Sequence, residues 1–184
     1  LQRVADGSGR ELRFSHRFDE LLVDLGEAPA AGARVDLTFE IEGQFFTAKG
    51  GERGDVVADL SRIDWYPSPL GFGEANFTFD LNVRCRKGLR PISTGDTVEM
   101  KEEGDFVLMH AKSDVSVPSV SLLIGKYVSH IVDLGGGRKL GVHGYGNISQ
   151  EMVDLQASVV TELFKSLERL VGELPYHEID VVED

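Results

Sequence analysis

The spacing of apolar residues constrains the fold of this chain more than any other feature, because its period changes near residue 146. Alternation of apolar and polar side chains dominates the first 145 residues, as in half-buried β-strands. The alternation is cleanest between residues 34 and 43, where four apolar residues are predicted to share one buried face: Val35, Leu37, Phe39 and Ile41. Turn residues separate the strand-like segments. We therefore predict a mainly β protein, built as an antiparallel β-sandwich.

A spacing of three and four residues replaces the alternation after residue 146. Apolar residues at this spacing from Met152 to Val171 predict one amphipathic α-helix over residues 147–171. Asn147 is the predicted N-cap, and Gly172 is predicted to end the helix. A short apolar strand follows at residues 179–182, and it must pair with a sheet to satisfy its backbone.

The change of period also predicts two domains. Residues 1–146 would form the β-sandwich domain, and residues 147–184 would be the opening helix and strand of a second domain. The chain begins with Leu1 rather than Met, and we expect both ends to be cut from a larger protein. The helix and strand would then expose apolar faces, which would pack on the sandwich or form a dimer through these two elements.

Charge and cysteine content exclude several classes of function. A net charge of −12 disfavours nucleic acids and anionic membranes as partners, because both would repel the chain. The single cysteine, Cys85, rules out an intrachain disulfide and a cysteine metal cluster. Cys85 ends an alternating apolar run and is predicted to be a packed residue. A lone cysteine fits either the cytoplasm or a bacterial periplasm, and both compartments stay open.

Histidines provide the only candidates for a metal site. His177-Glu178 begins like the zinc motif H-E-x-x-H, but Val181 stands where the second histidine is required, and the segment alternates like a strand. The other four histidines are predicted to be single, half-exposed residues on separate strands. They are His16, His110, His130 and His143. A cupin-like metal barrel would require three of them to converge. We predict no metal-binding residue in this chain.

No catalytic or cofactor-binding residue is predicted either. The serines lack a G-x-S-x-G elbow, and no base is predicted beside any of them. Gly135-Gly136-Gly137 is followed by neither the Lys-Ser/Thr pair nor the helix of a phosphate-binding loop, so it is predicted to be a hairpin turn.

Trp65-Tyr66-Pro67 is the most distinctive aromatic cluster. Aromatic side chains usually supply buried area, which favours an anchor in the core with Pro67 ending its strand. In the alternative, Trp65 and Tyr66 form an exposed platform, and the chain is a stand-alone binding module for glycans or proteins.

Taken in order along the chain, several segments resemble the N-terminal part of the gluzincin zinc aminopeptidases, the aminopeptidase N family. Trp65-Tyr66-Pro67 followed by a long strand is similar to the bacterial members, and Leu174-Pro175-Tyr176 after the helix is similar to the segment that opens their catalytic domain. Other matching segments are Leu21–Leu25, Pro29–Gly43, Ile92–Gly95 and Val117–Tyr127. Two features depart from the family pattern: Arg86–Leu89 lacks the usual proline of its turn, and no Q-x-E/Q segment aligns.

The resemblance implies a saddle-shaped β-sandwich that packs on a thermolysin-like catalytic domain. The catalytic motifs of the family, G-x-M-E-N and H-E-x-x-H with a later glutamate, lie beyond the matching segments, so the resemblance assigns no catalytic residue here. It implies that this chain is inactive alone and shapes one wall of a peptide cleft. Zinc and the peptide substrate would belong to the parent protein, with the catalytic domain as partner in cis.

Overall fold

A computed structural model describes residues 1–18, 20–43, 56–60, 65–67 and 76–183. The chain divides into two compact units, Leu1–Phe45 and Phe46–Asp184. Residues 47–55 are rich in glycine and charged residues, which predicts a loop, and they lie outside the described residues. None of the described helices is both long and apolar enough to cross a membrane.

The first unit contains four strands in two antiparallel pairs. The strands are β1 (Arg3–Asp6), β2 (Arg13–Arg17), β3 (Glu20–Asp24) and β4 (Leu37–Glu40). β1 pairs with β4, and β2 pairs with β3. β4 is shorter than the predicted alternating segment, and Val35 and Ile41 are exposed rather than part of a buried face. The partner β1 contributes only four residues, so pairing stops where β1 ends.

The second unit contains nine strands and one helix among its described residues. The strands are β5 (Val56–Asp59), β6 (Phe77–Arg86), β7 (Arg90–Ser93), β8 (Asp96–Glu103), β9 (Phe106–Val117), β10 (Leu122–Gly125), β11 (Tyr127–Gly135), β12 (Arg138–Tyr145) and β13 (Glu178–Val182), and the helix is α1 (Gln150–Val171). They form three sheets with the orders β5-β10-β7, β6-β9-β8 and β11-β12-β13. The mainly β class, the antiparallel sheets, the C-terminal helix and the terminal strand are confirmed.

Two of these sheets share a core, as the sandwich prediction required. Alternate residues of β6 and β9 meet residues of β10 and of the segment after β5, and the buried members are Leu60, Val83, Met109, Ala111 and Leu122. Cys85 is buried at the end of β6, and burial raises the pKa of its thiol. The cysteine is therefore a packed residue, as predicted.

The third sheet, β11-β12-β13, packs against α1, and the two form a second hydrophobic core. Leu140 and Val142 of β12 meet Val153, Val160 and Phe164 of the helix, and these five residues are buried. Ile179 and Val181 of β13 join the same cluster. The helix thus covers one face of the β11-β12-β13 sheet, and the apolar side of the terminal strand is buried with it.

Several elements differ from the sequence prediction. The N-cap is Ser149, whose hydroxyl accepts a hydrogen bond from the Met152 N–H at 3.2 Å, so the prediction of Asn147 was wrong by two residues. Gly172 does end the helix. The sequence predicts a long strand at residues 119–132 that is interrupted by Gly125, and the structure has two strands there, β10 and β11, which belong to different sheets. β13 pairs parallel to β12, the one parallel pair among the described strands.

Candidate functional site

The face of the β11-β12-β13 sheet opposite α1 carries a line of hydrogen-bonded polar side chains. Successive residues of a strand point to opposite faces, so Leu140 and Val142 turn to the helix while Gly141 and His143 turn away from it. The strand register places Ser129 beside His143, and Gly141 beside Asp180. Three strands therefore bring one serine, one histidine and one aspartate onto the same face.

His143 is the centre of this polar line. Its Nε2 lies 2.8 Å from Oδ1 of Asp180, and its Nδ1 lies 2.6 Å from Oγ of Ser129. Its exposed fraction is only 4%. A carboxylate oxygen accepts hydrogen bonds, so in a neutral imidazole Nε2–H donates to Asp180 and Nδ1 accepts from the Ser129 hydroxyl. We call the His143–Asp180 hydrogen bond the β12–β13 clasp, because it joins the two parallel strands.

Gly141 makes room for the clasp. A Cβ atom at this position would overlap both Oδ1 of Asp180 and Nε2 of His143. The two side chains lie directly over the Gly141 backbone, which only glycine permits at this close approach.

Glu178 begins β13 and lies next along the same face. Its carboxylate accepts hydrogen bonds from the Thr97 N–H at 2.9 Å and from the Thr97 hydroxyl at 2.9 Å. Burial raises the pKa of Glu178, and the charges of Asp180 and Asp96 raise it further, although the two hydrogen bonds from Thr97 oppose the change. Thr97 therefore connects β8 to the start of the terminal strand.

A cavity of about 550 Å³ lies beside this end of β13. One wall is the segment Pro175–Asp180 with Val182, and the opposite wall includes Ile92–Asp96 and residues near the end of β9. Asp180 and Glu178 line it, whereas Ser129 and His143 do not. The Ser129–His143–Asp180 order resembles the arrangement that activates a nucleophilic serine. Neither Ser129 nor His143 lines the cavity, and the hydrogen bonds of the network join β11, β12 and β13 to one another.

This network contradicts two sequence predictions. His143 was expected to be a half-exposed, isolated histidine, and the serines were expected to have no base beside them. His143 is instead buried and bonded to Ser129. The sequence did contain a sign that His143 is buried. Gly141 stands two positions before it on an apolar strand, and a glycine there leaves space over the sheet for the imidazole ring.

The other histidines do not assemble into a metal site. His110 pairs with Asp80 at 3.1 Å on another sheet, and His130 lies on the α1 side of β11, opposite His143. Among the described residues, no three His, Cys, Asp or Glu side chains could hold a metal ion together. The described residues therefore do not fit zinc or a cupin-like centre.

Trp65 and Tyr66 both bond to the backbone of one residue. The Trp65 Nε1–H donates to the Val120 carbonyl at 2.9 Å, and the Val120 N–H donates to the Tyr66 hydroxyl at 3.1 Å. Their rings meet edge to face with centroids 5.2 Å apart, and Trp65 packs against the core of the sandwich. Both residues are half-buried. These contacts are those of a structural anchor, while the aromatic platform stays a prediction.

Comparisons with known proteins identify the fold. No protein-family model and no curated protein matches the chain. Among solved structures, it is similar to a mutant M1 zinc metallopeptidase from Deinococcus radiodurans bound to a Tyr-Ser-Ala substrate, with a TM-score of 0.66 and 15% identity over 98% of this chain and 45% of that chain. A two-domain M1 zinc metallopeptidase mutant bound to L-arginine gives a TM-score of 0.66 at 14% identity, over 99% of this chain and 47% of that one.

A third structure, an M1 zinc metallopeptidase from Deinococcus radiodurans, gives a TM-score of 0.61 at 14% identity. The chain thus spans less than half the length of the structures it matches, while nearly all of it is matched. At this identity the likeness concerns the fold. It confirms the resemblance to zinc aminopeptidases that the sequence motifs indicated, at the level of the fold.

Proposed function

We propose that this chain is a non-catalytic N-terminal domain of a zinc metallopeptidase, and that it packs on the catalytic domain and shapes one wall of its peptide cleft. The observation that carries the proposal is the fold match, which covers 98% of this chain but only 45% of a metallopeptidase. A further domain in the parent protein would contain the zinc and the hydrolytic residues.

An apolar stripe on α1 supports a docking role. Leu155, Leu163 and Leu170 have exposed fractions of 56%, 52% and 81%. Together with Met152 and Val159 they define what we call the outer stripe of α1. At 100° per residue, the outer stripe lies about 110° around the helix from the buried stripe that contacts the sheet. An apolar surface of this kind usually marks an interface.

The proposed occupant of the outer stripe is the catalytic domain of the same protein. The metallopeptidases that share this fold have more than half of their chain outside the matched region, which supplies a partner of sufficient size. A second copy of this chain is the competing occupant, as the predicted dimer would require.

Docking is tested with the 184-residue chain and the separately produced polypeptide encoded downstream of Asp184. We expect a complex by analytical ultracentrifugation, and we expect Leu155→Glu with Leu163→Glu to abolish it. Ser158→Glu is the matched control, because Ser158 is exposed on the same helix but outside the outer stripe. If the wild-type chain forms only concentration-dependent dimers that the double variant abolishes, the occupant is a second copy and the docking role is wrong.

Activity gives the second test. The 184-residue chain supplied with zinc should not hydrolyse aminoacyl amides, since its described residues include no metal site. Turnover that a chelator abolishes would show that the chain is itself a metallopeptidase. The encoding gene should also continue into an H-E-x-x-H motif beyond Asp184, and a stop codon there would contradict the proposed parent.

A further inference from the structure

The β6-β9-β8 sheet carries a small cavity on the face that points away from the sandwich core. Val83, Met100 and Met109 of these strands lie at the core, so the residues that alternate with them point to the opposite face. The cavity has a volume of about 220 Å³ and lies over the central strand β9. Residues that point to this face from all three strands line it: Asn82, Arg84, Glu99, Lys101, Leu108 and His110.

The strand register places a leucine between two cations in this cavity. Leu108 lies opposite Arg84 of β6 on one side and opposite Lys101 of β8 on the other. Side chains that are directly opposite across antiparallel strands have Cβ atoms about 5 Å apart. Leu108 therefore forms an apolar floor, with one positively charged side chain on each side of it.

Arg84 is the cation that is available to a ligand. Its guanidinium carbon lies 3.5 Å from the centre of the Phe106 ring, and in the described part of the chain it forms no ion pair. Stacking on an aromatic ring holds the guanidinium plane in place and leaves its N–H donors at the edge of that plane. Two parallel N–H donors of an arginine match the two oxygens of a carboxylate.

The charges around the cavity favour an anion. Glu99 is the one carboxylate among the described lining residues, and Lys101 pairs with it at 3.4 Å. Asp80 lies outside the lining, and its Oδ1 is 3.1 Å from Nε2 of His110. The charge of Arg84 is therefore not balanced by a neighbouring carboxylate, although the chain as a whole has a net charge of −12.

The size and position of the cavity restrict the ligand further. Its volume equals that of about seven water molecules in the liquid, which is too small for a drug-sized ligand. None of the described lining residues belongs to α1, to β13 or to the segment that joins them. The cavity therefore forms without the C-terminal part of the chain.

We propose that this cavity binds a small organic carboxylate, with its two oxygens on the Arg84 guanidinium and its apolar group on Leu108. The bidentate hydrogen bonds from Arg84 supply the affinity for the carboxylate. Contact with Leu108 selects a carboxylate with an apolar group over an inorganic anion. The proposal does not depend on the proposed docking function, because the cavity shares no residue with the outer stripe of α1.

The test is an NMR titration of the 184-residue chain with butyrate, butyramide and inorganic phosphate. Butyramide has nearly the shape of butyrate but no charge. We expect butyrate to bind about tenfold more tightly than butyramide, because hydrogen bonds between two charged groups are about twice as strong as neutral ones. Phosphate should bind more weakly than butyrate, because it has no apolar group for Leu108. The amide signals of Arg84, Lys101 and Leu108 should shift on addition of butyrate.

Variants assign the binding to Arg84. Arg84→Gln should remove the preference for butyrate over butyramide without unfolding the chain, since Arg84 is exposed. Arg86→Gln is the matched control, because Arg86 is an exposed arginine on the same strand but outside the described lining. It should bind butyrate like wild type, and thermal melts should show that both variants are folded.

Four results would contradict the proposal. Butyrate might fail to bind at millimolar concentration, or butyramide or phosphate might bind as tightly as butyrate. Arg86→Gln might weaken binding as much as Arg84→Gln, which would mean that any positive charge on this face is sufficient. The signals that shift might also lie outside β6, β8 and β9.

Discussion

Nε2 of His143 and Oδ1 of Asp180 lie 2.8 Å apart across the parallel strands β12 and β13. The two residues are separated by 37 positions in sequence, and α1 lies between them. The side chain of His143 is 3% exposed and that of Asp180 is 15% exposed, so solvent screens their hydrogen bond only weakly. This clasp connects the terminal strand to the sheet on the face that α1 does not cover.

The clasp should contribute measurably to stability. His143→Ala and Asp180→Ala should each lower the free energy of unfolding by about 1–3 kcal/mol, because each leaves a buried polar partner without its hydrogen bond. Chemical denaturation of both single variants and the double variant measures the coupling. The double variant should lose less than the sum of the single losses. Additive losses would mean that the two side chains act independently.

Gly141→Ala should be as damaging as loss of the clasp. The new Cβ would overlap Asp180 and His143, and both are held by hydrogen bonds. We expect a loss of about 1–3 kcal/mol in the free energy of unfolding, measured by denaturation. Gly144→Ala on the same strand is the control. Its Cβ would meet Oε2 of Glu183 at 2.9 Å and the end of the Ile148 side chain at 3.3 Å. Both contacts are longer than the overlaps at Gly141, so we expect a smaller loss, even though Oε2 accepts a hydrogen bond from the Tyr145 N–H. Equal losses in the two variants would contradict this account.

Glu178→Gln should change the dependence of stability on pH. Burial raises the pKa of Glu178 above its ordinary value of 4.5. The stability that its protonated carboxyl contributes to the fold is therefore fully present below pH 4.5 and is lost as pH rises through the folded pKa. Glutamine stays neutral and can still bond to Thr97. The variant should therefore lose less stability than wild type between pH 4.5 and neutrality, as thermal melts across this range would measure.

Glu168→Gln is the matched control, with the opposite sign. A hydrogen bond from Arg138 holds the pKa of Glu168 below its ordinary value. The stability that the ionised Glu168 contributes to the fold is therefore present at pH above its ordinary pKa and is lost as pH falls through the folded pKa. Glu168→Gln should therefore reduce the melting temperature most near neutral pH. If the melting temperature of Glu178→Gln relative to wild type does not rise between pH 4.5 and neutrality, the assignment for Glu178 is wrong.

Trp65→Phe distinguishes the two roles considered for Trp65, a structural anchor in the core and an exposed platform for a glycan. The change removes the hydrogen bond to the Val120 carbonyl but keeps an aromatic ring, so we expect a loss of about 1 kcal/mol in the free energy of unfolding. Tyr66→Phe should cost a similar amount through the Val120 N–H. Titration with oligosaccharides tests the platform. Unchanged stability together with a loss of glycan binding in Trp65→Phe would favour the binding module.

The spacing of apolar residues along the chain was sufficient to predict the elements that bury one face. Alternation in β6 and β9, the helical spacing in α1 and the terminal strand after Pro175 were all predictable, because one buried face imposes a period on the sequence. The sequence did not predict β1, β5 or β7, because each is four residues long and too short to show a period. The helix start was misplaced because Asn147 and Ser149 are both good N-caps, and packing selects between them.

The sequence by itself determined the β class, the change to a helix near residue 150 and the burial of Cys85, since each depends on the local order of apolar residues. Only the tertiary structure decided that β13 returns parallel to β12 and that Ser129, His143 and Asp180 meet. These residues lie on three different strands, and their proximity depends on strand order and register rather than on any spacing along the chain. For the same reason the cavity beside β13 had no signature in the sequence, because its walls come from segments about 80 residues apart.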